Sequence, residues 1–157
     1  MFGYPATAAS DPHLVTSAAL RLSGAAFAAP SVASLLVATQ RDVRRIALSL
    51  PGTSEDPDEF RLLVEGKMFV WLWPERVAPK RARVPNPDVI VVRVGNEIDK
   101  QVLLAMDRKV FFTEPHYDGY AAVLVRLPLI DLDLLTDILT EGWRCRASRR
   151  LQAKREG

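Results

Sequence analysis

Cysteine and histidine are scarce in the sequence, and their scarcity excludes several kinds of site. The one cysteine among 157 residues, Cys145, cannot form a disulfide within the chain, so nothing requires an oxidising compartment and we expect a cytoplasmic protein. After His13 the only histidine is His116. The sequence contains no His-x-x-x-His pair, Gly-rich phosphate loop or Gly-x-Ser-x-Gly segment. We therefore expect no metal site, no cofactor and no enzyme activity.

Long apolar runs are also missing. In the Ala- and Ser-rich beginning of the chain, Arg21 and Pro30 interrupt every apolar stretch well before the ~20 residues that a membrane span requires. The basic start of a secretory signal is absent too. We expect no membrane span, and we interpret residues 1–38 as an N-terminal extension that is either flexible or the product of an over-long gene start. Residues 39–157 suit a single domain.

Positive charge is concentrated in two segments, although the net charge of the chain is only +2. Residues 76–86 contain four basic side chains and no acidic one. Residues 144–157 contain five arginines and one lysine against Glu156. The rest of the chain is consequently net negative. A basic loop and a basic C-terminal tail are the distribution expected of a protein with a polyanionic partner.

Three segments show the periodicity of amphipathic helices. The first begins at Thr39, with Asp42 three residues on in a capping-box arrangement. Its predicted apolar face comprises Val43, Ile46, Ala47 and Leu50. The second follows a cap at Asn96, with a predicted stripe of Ile98, Val102, Ala105 and Met106. The third begins after Asp131 or Asp133 and presents Leu132, Leu135, Leu139 and Trp143 on one side.

Five segments have the β-branched and aromatic content of strands: FRLLVEG, KMFVWLWPE, DVIVVRVG, KVFFTE and YAAVLVRL. The stretch TSEDPDE before them reads as an acidic turn. The predicted order is therefore α-β-β-β-α-β-β-α. This order indicates an α+β domain in which helices cover one face of an antiparallel sheet of about five strands.

Two features of these strands bear on function. In the second strand Phe69, Trp71 and Trp73 share one face by the period-two rule, and such a row either packs beneath a helix or forms a platform for stacked bases. We favour the packed interpretation. Between the last two strands, Pro115 ends one strand and Asp118-Gly119 turns the chain, so PHYDG is predicted to be a hairpin loop.

Taken together, the segments SLPGTSED, VEGKMFVWL, TEPHYDGYAAVLVRL and LTEGWRCRASRRLQAK resemble the MmcQ/YjbR family of small bacterial proteins. The resemblance covers roughly residues 39–154. It is most specific in the His-Tyr-Asp-Gly-Tyr segment and in the last Trp-Arg helix. It implies a frataxin-like (CyaY-like) α+β fold and binding to DNA through a double-wing surface.

DNA binding through basic loops is therefore our main hypothesis. Cationic side chains on a projecting loop neutralise phosphates and release counterions, which supplies affinity without reading sequence. The candidate contacts on the two loops are Arg76, Lys80, Arg81, Arg83, His116 and Tyr117. The tail would extend this surface with Arg144, Arg146, Arg149 and Arg150.

Three alternatives remain open from the sequence. The basic segments also fit an ordinary solvated surface. The acidic turn supplies oxygen ligands for a metal- or protein-interaction module with no nucleic-acid role, through Glu55, Asp56, Asp58 and Glu59. His116 would serve as a general base, oriented by Asp118 or Glu114, if a nucleophile or cofactor lay nearby.

Overall fold

The computed structural model describes residues 37–157, and the predicted extension lies outside the described residues except for Val37 and Ala38. The helices are α1 (Gln40–Leu48), α2 (Glu97–Met106), α3 (Leu132–Arg146) and α4 (Arg149–Glu156). The strands are β1 (Thr53–Glu55), β2 (Arg61–Val64), β3 (Lys67–Glu75), β4 (Val84–Arg93), β5 (Phe111–Phe112) and β6 (Ala122–Arg126). Short 3-10 helices span Pro115–Tyr117 and Leu127–Leu129.

The strands form one antiparallel sheet in the order β1-β2-β3-β4-β6-β5, which confirms the α+β class. The sheet has six strands rather than five, because part of the predicted acidic turn pairs with β2 as β1. A strand of three residues is too short to give a period-two signal of its own.

The main core lies between one face of the sheet and the helices. Helix α1 begins as predicted: the Asp42 carboxylate accepts the Thr39 N–H at 2.9 Å, and the predicted apolar face is buried throughout. In α3, Leu135, Leu139 and Trp143 are buried, and Trp143 Nε1 donates to the Pro51 carbonyl at 2.9 Å. All the α-helical residues of the core belong to this one cluster, so the helices share one face of the sheet.

A β-bulge overturns the prediction that Phe69, Trp71 and Trp73 share a face. Leu62 pairs with Val70 but Leu63 pairs with Met68, so Phe69 is an extra residue in β3. Phe69 and Val70 both point into the main core, whereas Trp71 and Trp73 turn to the opposite face of the sheet. The packed interpretation therefore holds only for Phe69.

The predicted stripe of α2 is wrong in most of its members. Ile98 is 74% exposed and Met106 is exposed as well, whereas the buried residues of the helix are Lys100 and Leu103. The predicted Asn96 cap is correct, since its side chain accepts the Asp99 N–H at 2.9 Å. The apolar pattern does not identify the inward face of α2, because one of its two buried residues is Lys100.

The predicted basic tail forms helix α4. Ser148 caps this helix, and its N–H and hydroxyl both donate to the Glu65 carboxylate, at 2.8 and 2.9 Å. Leu151 is buried and lies against Gly52, where a Cβ would come within 2.6 Å of it. The basic end of the chain is thus packed against the beginning of the sheet. No helix among residues 37–157 is long and apolar enough to cross a membrane.

Candidate nucleic-acid interface on the open face of the sheet

A second apolar cluster lies on the face of the sheet opposite the helices, which we call the open face. The buried members of this cluster come from β4, β6 and the loop before β6: Val89, Val91, Tyr117, Ala122 and Leu124. Trp71, Trp73 and Phe112 pack against them and are partly exposed. The cluster contains no residue of an α-helix within the described part of the chain. Aromatic side chains are therefore concentrated where solvent can reach the sheet.

The loop of residues 113–121 folds back across the open face. It joins β5 to β6 as predicted for a hairpin, but its 3-10 helix places Tyr117 over the sheet, where the Tyr117 hydroxyl accepts Trp71 Nε1–H at 3.4 Å. Tyr117 is only 4% exposed, which corrects the expectation that it is free to contact a partner. Burial raises the pKa of Tyr117, so its hydroxyl stays protonated at neutral pH.

Glu114 connects this loop to β3 and to the basic loop. Its carboxylate accepts Trp73 Nε1–H at 3.1 Å and the Arg83 guanidinium at 2.9 Å. Burial alone raises the pKa of Glu114, but the hydrogen bonds from Trp73 and Arg83 outweigh that effect and lower the pKa overall. Arg83 also donates to the Pro74 carbonyl at 2.8 Å. Its charge is therefore engaged within the protein, unlike that of an exposed phosphate contact.

Lys100 holds the far end of the same loop from beneath. Its side chain is 1% exposed, and Nζ donates to the carbonyls of Tyr117 at 2.6 Å and Tyr120 at 3.1 Å. The Glu97 carboxylate lies 3.9 Å away. A buried ammonium must have partners of this kind, because an unpaired charge in the interior is very costly. Lys100 was not predicted, because nothing in the apolar pattern of this helix indicates that a lysine is one of its two buried residues.

A depression of about 420 Å³ opens beside the loop. Its aromatic lining is Trp71, His116, Tyr117 and Tyr120, and Arg61 provides a cation. The His116 ring is exposed and meets Tyr117 edge-on at 5.1 Å between centroids. Tyr120 is 44% exposed. The Arg93 guanidinium lies over its ring, with Cζ 4.5 Å from the ring centroid. Aromatic rings and the Arg61 guanidinium thus border one solvent-accessible hollow.

The predicted basic loop connects β3 to β4, and three of its four cations are exposed. Among the described residues, Arg76 donates to backbone carbonyls of its own loop, those of Pro79 and Arg81. Within residues 37–157, neither Lys80 nor Arg81 forms an ion pair. The loop begins two residues after Pro74, which lines the depression, so Arg76 at its start is close in the chain to the aromatic hollow.

The predicted arginines of the C-terminal segment lie elsewhere. Arg149 and Arg150 are exposed on α4, which contacts Glu65 at the start of β3, whereas the basic loop follows the end of β3. Nine residues of strand separate these positions, which corresponds to roughly 30 Å. Arg144 pairs with Glu141 at 2.8 Å, and Arg146 is partly buried. The structure does not bring these side chains together with the two loops.

The acidic turn is held by internal contacts. Glu55 pairs with Arg44 at 2.8 Å, and Glu59 pairs with Arg61. Asp56 accepts the N–H groups of Asp58 and Glu59 at 2.9 and 3.2 Å. Across the described range, no group of three or more His, Cys, Asp or Glu side chains is arranged to hold a metal ion.

Comparison with known proteins identifies the family. The YjbR family model matches residues 48–145, which is more than half of the chain. The chain belongs to the YjbR family. Uncharacterized proteins of Mycobacterium bovis and Mycobacterium tuberculosis are 39% identical to it over 122 residues, covering 73% of this chain and 93% of theirs. No solved structure gives a significant match.

The segment matched to the YjbR family contains the whole sheet and both loops of the open face. It ends at residue 145, before Arg146 and helix α4. The family resemblance that the sequence showed is therefore confirmed. The names of the mycobacterial relatives assign no ligand, so any binding activity rests on the chemistry of this chain.

Proposed function

We propose that this YjbR protein binds DNA, and that Arg76, Lys80 and Arg81 of the basic loop contact the phosphates. The supporting observation is that these three cations are exposed together and, within the described residues, form no ion pair with an acidic group. Cations that are not neutralised by an acidic side chain can exchange counterions for phosphates, and each such contact adds to affinity in a salt-dependent way.

Arg83 has a positioning role in this proposal. Its contacts with Glu114 and the Pro74 carbonyl tie the end of the basic loop to the open face. His116 and Tyr117 belong to the neighbouring loop, and we propose that His116 contacts the ligand while Tyr117 supports the surface from below. The proposal includes no catalytic step. It includes a cytoplasmic location, in keeping with the single cysteine.

Charge-removal variants test the location of the contacts. We expect the triple variant Arg76→Ala, Lys80→Ala, Arg81→Ala to reduce the slope of log K against log salt on duplex DNA by about two to three, since each phosphate contact contributes about 0.9. The measurement is fluorescence anisotropy with a labelled duplex at several salt concentrations.

The matched control is the triple variant Arg149→Ala, Arg150→Ala, Lys154→Ala, which removes the same amount of charge from α4. This helix lies at the opposite end of β3 from the basic loop. With a duplex of about eight base pairs, which cannot span both ends, the control should leave the slope nearly unchanged. Equal losses in the two variants would show that only net charge matters, and this would contradict a contact surface at the basic loop.

A further inference from the structure

We infer that the depression on the open face is a binding pocket for one unpaired nucleobase of a single-stranded nucleic acid. The inference rests on the proposed function and narrows it, because it names the form of nucleic acid and the part of the nucleotide that the site takes. The pocket is lined by the rings of Trp71, His116, Tyr117 and Tyr120.

The rings provide the stacking surfaces. Trp71 is partly exposed because the bulge at Phe69 turns it out of the main core. His116 and Tyr120 are exposed on the loop above it. Any base presents a π-face to such rings, so stacking gives affinity with little dependence on sequence. The volume of about 420 Å³ lies within the range of small-ligand sites.

The charges around the pocket suit the phosphates on either side of a bound base. Arg61 lines the pocket, and its pairing with Glu59 is solvent-exposed, with 45% and 60% of the two side chains accessible. An exposed pair of this kind is worth little and can be exchanged for a phosphate contact. The basic loop begins roughly 7 Å of chain beyond Pro74 of the pocket wall. A strand leaving the pocket in this direction would therefore first reach Arg76, where the basic loop begins.

The shape of the site favours single strands. In a duplex both faces of a base are covered by its neighbours, so a base reaches a pocket only after it is unpaired and unstacked. A single strand does not pay that cost in full. Lys100 fixes the carbonyls of Tyr117 and Tyr120, so the loop that carries the rings is held in place before any ligand arrives. A preformed pocket loses less entropy on binding.

The test compares three probes that carry the same number of phosphates. These are a thymidine oligomer of about sixteen nucleotides, an abasic oligomer of equal length, and a duplex of about eight base pairs, which has sixteen nucleotides in its two strands. We expect the thymidine oligomer to bind roughly ten- to a hundredfold more tightly than the abasic one. We also expect it to bind more tightly than the duplex and to quench tryptophan fluorescence. The Trp71→Phe variant should lose most of that quenching.

Variants at the pocket locate the effect. Tyr120→Ala and His116→Ala should weaken binding of the thymidine oligomer without changing binding of the abasic oligomer, whereas Tyr120→Phe should behave as the wild type. Both side chains are exposed, so their loss does not open the core. Circular dichroism verifies folding. Ile98→Ala, which removes a 74% exposed apolar side chain from α2, is the control and should bind as the wild type.

The outcomes separate this inference from the proposed function. If the abasic oligomer binds as tightly as the thymidine oligomer, or if the duplex binds more tightly than either, the base pocket is wrong and the phosphate contacts stand. If no probe binds even at low salt, both proposals fail. Equal weakening of thymidine and abasic oligomers by Tyr120→Ala would also overturn the pocket, because the ring would then act on the phosphate surface instead of on the base.

Discussion

At the scale of single residues, Lys100 is a buried ammonium that holds the loop of the open face. Lysine is almost never fully buried unless it is paired. Here the ammonium satisfies two carbonyls of the loop that carries His116 and Tyr120, and it lies near Glu97. One side chain of α2 thereby fixes the loop that joins β5 to β6. Such a role depends on burial, which the sequence does not show.

We expect Lys100→Met to destabilise the protein by about 1–3 kcal/mol, because the methionine fills the space but leaves the carbonyls of Tyr117 and Tyr120 without their donor. Urea denaturation followed by circular dichroism measures the change. Lys109→Met at an exposed position is the control and should alter stability by less than about 0.5 kcal/mol. A Lys100→Met protein as stable as the wild type would show that the loop does not depend on this lysine.

The thiol of Cys145 allows a prediction about pH. The residue as a whole is exposed, but it borders a small pocket together with Asp99 and Glu141. Partial burial of the thiol, reinforced by the charges of Glu141 and Asp99, raises its pKa to about 11. Because the thiolate is the reactive form, the native thiol should be unreactive near neutral pH and gain reactivity only as pH approaches that value.

We expect a disulfide reagent to label native Cys145 roughly a hundredfold more slowly at pH 8 than it labels the urea-unfolded chain, whose thiol has an ordinary pKa. The raised pKa also means that folding favours the protonated thiol. The resulting contribution to stability is complete below about pH 9 and is lost as pH rises through 11. Equal labelling rates in the two states would contradict this environment.

At the scale of elements, α3 packs closely against β4 at Gly142. A Cβ on Gly142 would lie 2.8 Å from Val92 Cγ1 and 3.1 Å from the Arg93 carbonyl oxygen. The helix can therefore pack this close to the strand only because residue 142 has no side chain. We expect Gly142→Ala to destabilise the fold by about 1–3 kcal/mol through overpacking, despite the better helix propensity of alanine.

Thermal and urea unfolding measure this effect. Gly157→Ala makes the same chemical change at the end of the chain, where the nearest atom would be 3.6 Å away, and it should leave the midpoint unchanged. A Gly142→Ala protein at least as stable as the wild type would mean that α3 shifts away from β4 without cost.

The helices and strands are predictable from the sequence where the periodicity of the side chains is regular. Where a prediction is wrong, the structure shows a physical cause. Helix α1 was readable because a cap and a complete apolar face coincide at Thr39–Leu50. The bulge at Phe69 inserts one residue into β3, so every later side chain changes face and a strict period of two assigns Trp71 and Trp73 wrongly. The sequence predicts a tail in place of α4 because this helix has no apolar stripe, and Leu151 is its one buried residue.

At the scale of the whole molecule, the two faces of the sheet differ in what covers them. One face is covered by the helices, while the other carries the aromatic hollow and the folded-back loop. The basic loop and the arginines of α4 follow opposite ends of β3. Both basic segments are visible in the sequence. Their separation in space is not, because it depends on the direction of β3 and on the contact between Ser148 and Glu65, which are far apart in the chain.

The candidate site was predictable only in part for the same reason. The charges of Arg76, Lys80 and Arg81 and the exposure of His116 follow from local composition. The hollow between Trp71 and Tyr120 does not, because the two rings meet only through a bulge, a loop that folds back and a buried lysine. Long-range geometry of this kind is set by tertiary packing and leaves no periodic signal.

The most direct test of the central claim, that the open face and its basic loop bind nucleic acid, is a salt titration of the wild-type protein with the thymidine oligomer. Four phosphate contacts, from the three cations of the basic loop and from Arg61, predict that log K falls against log salt with a slope of about −3, since single strands release roughly 0.7 counterion per contact. Measurable binding at low salt with that slope supports the claim. Absence of binding at the lowest salt concentration, or binding that does not change with salt, would contradict it.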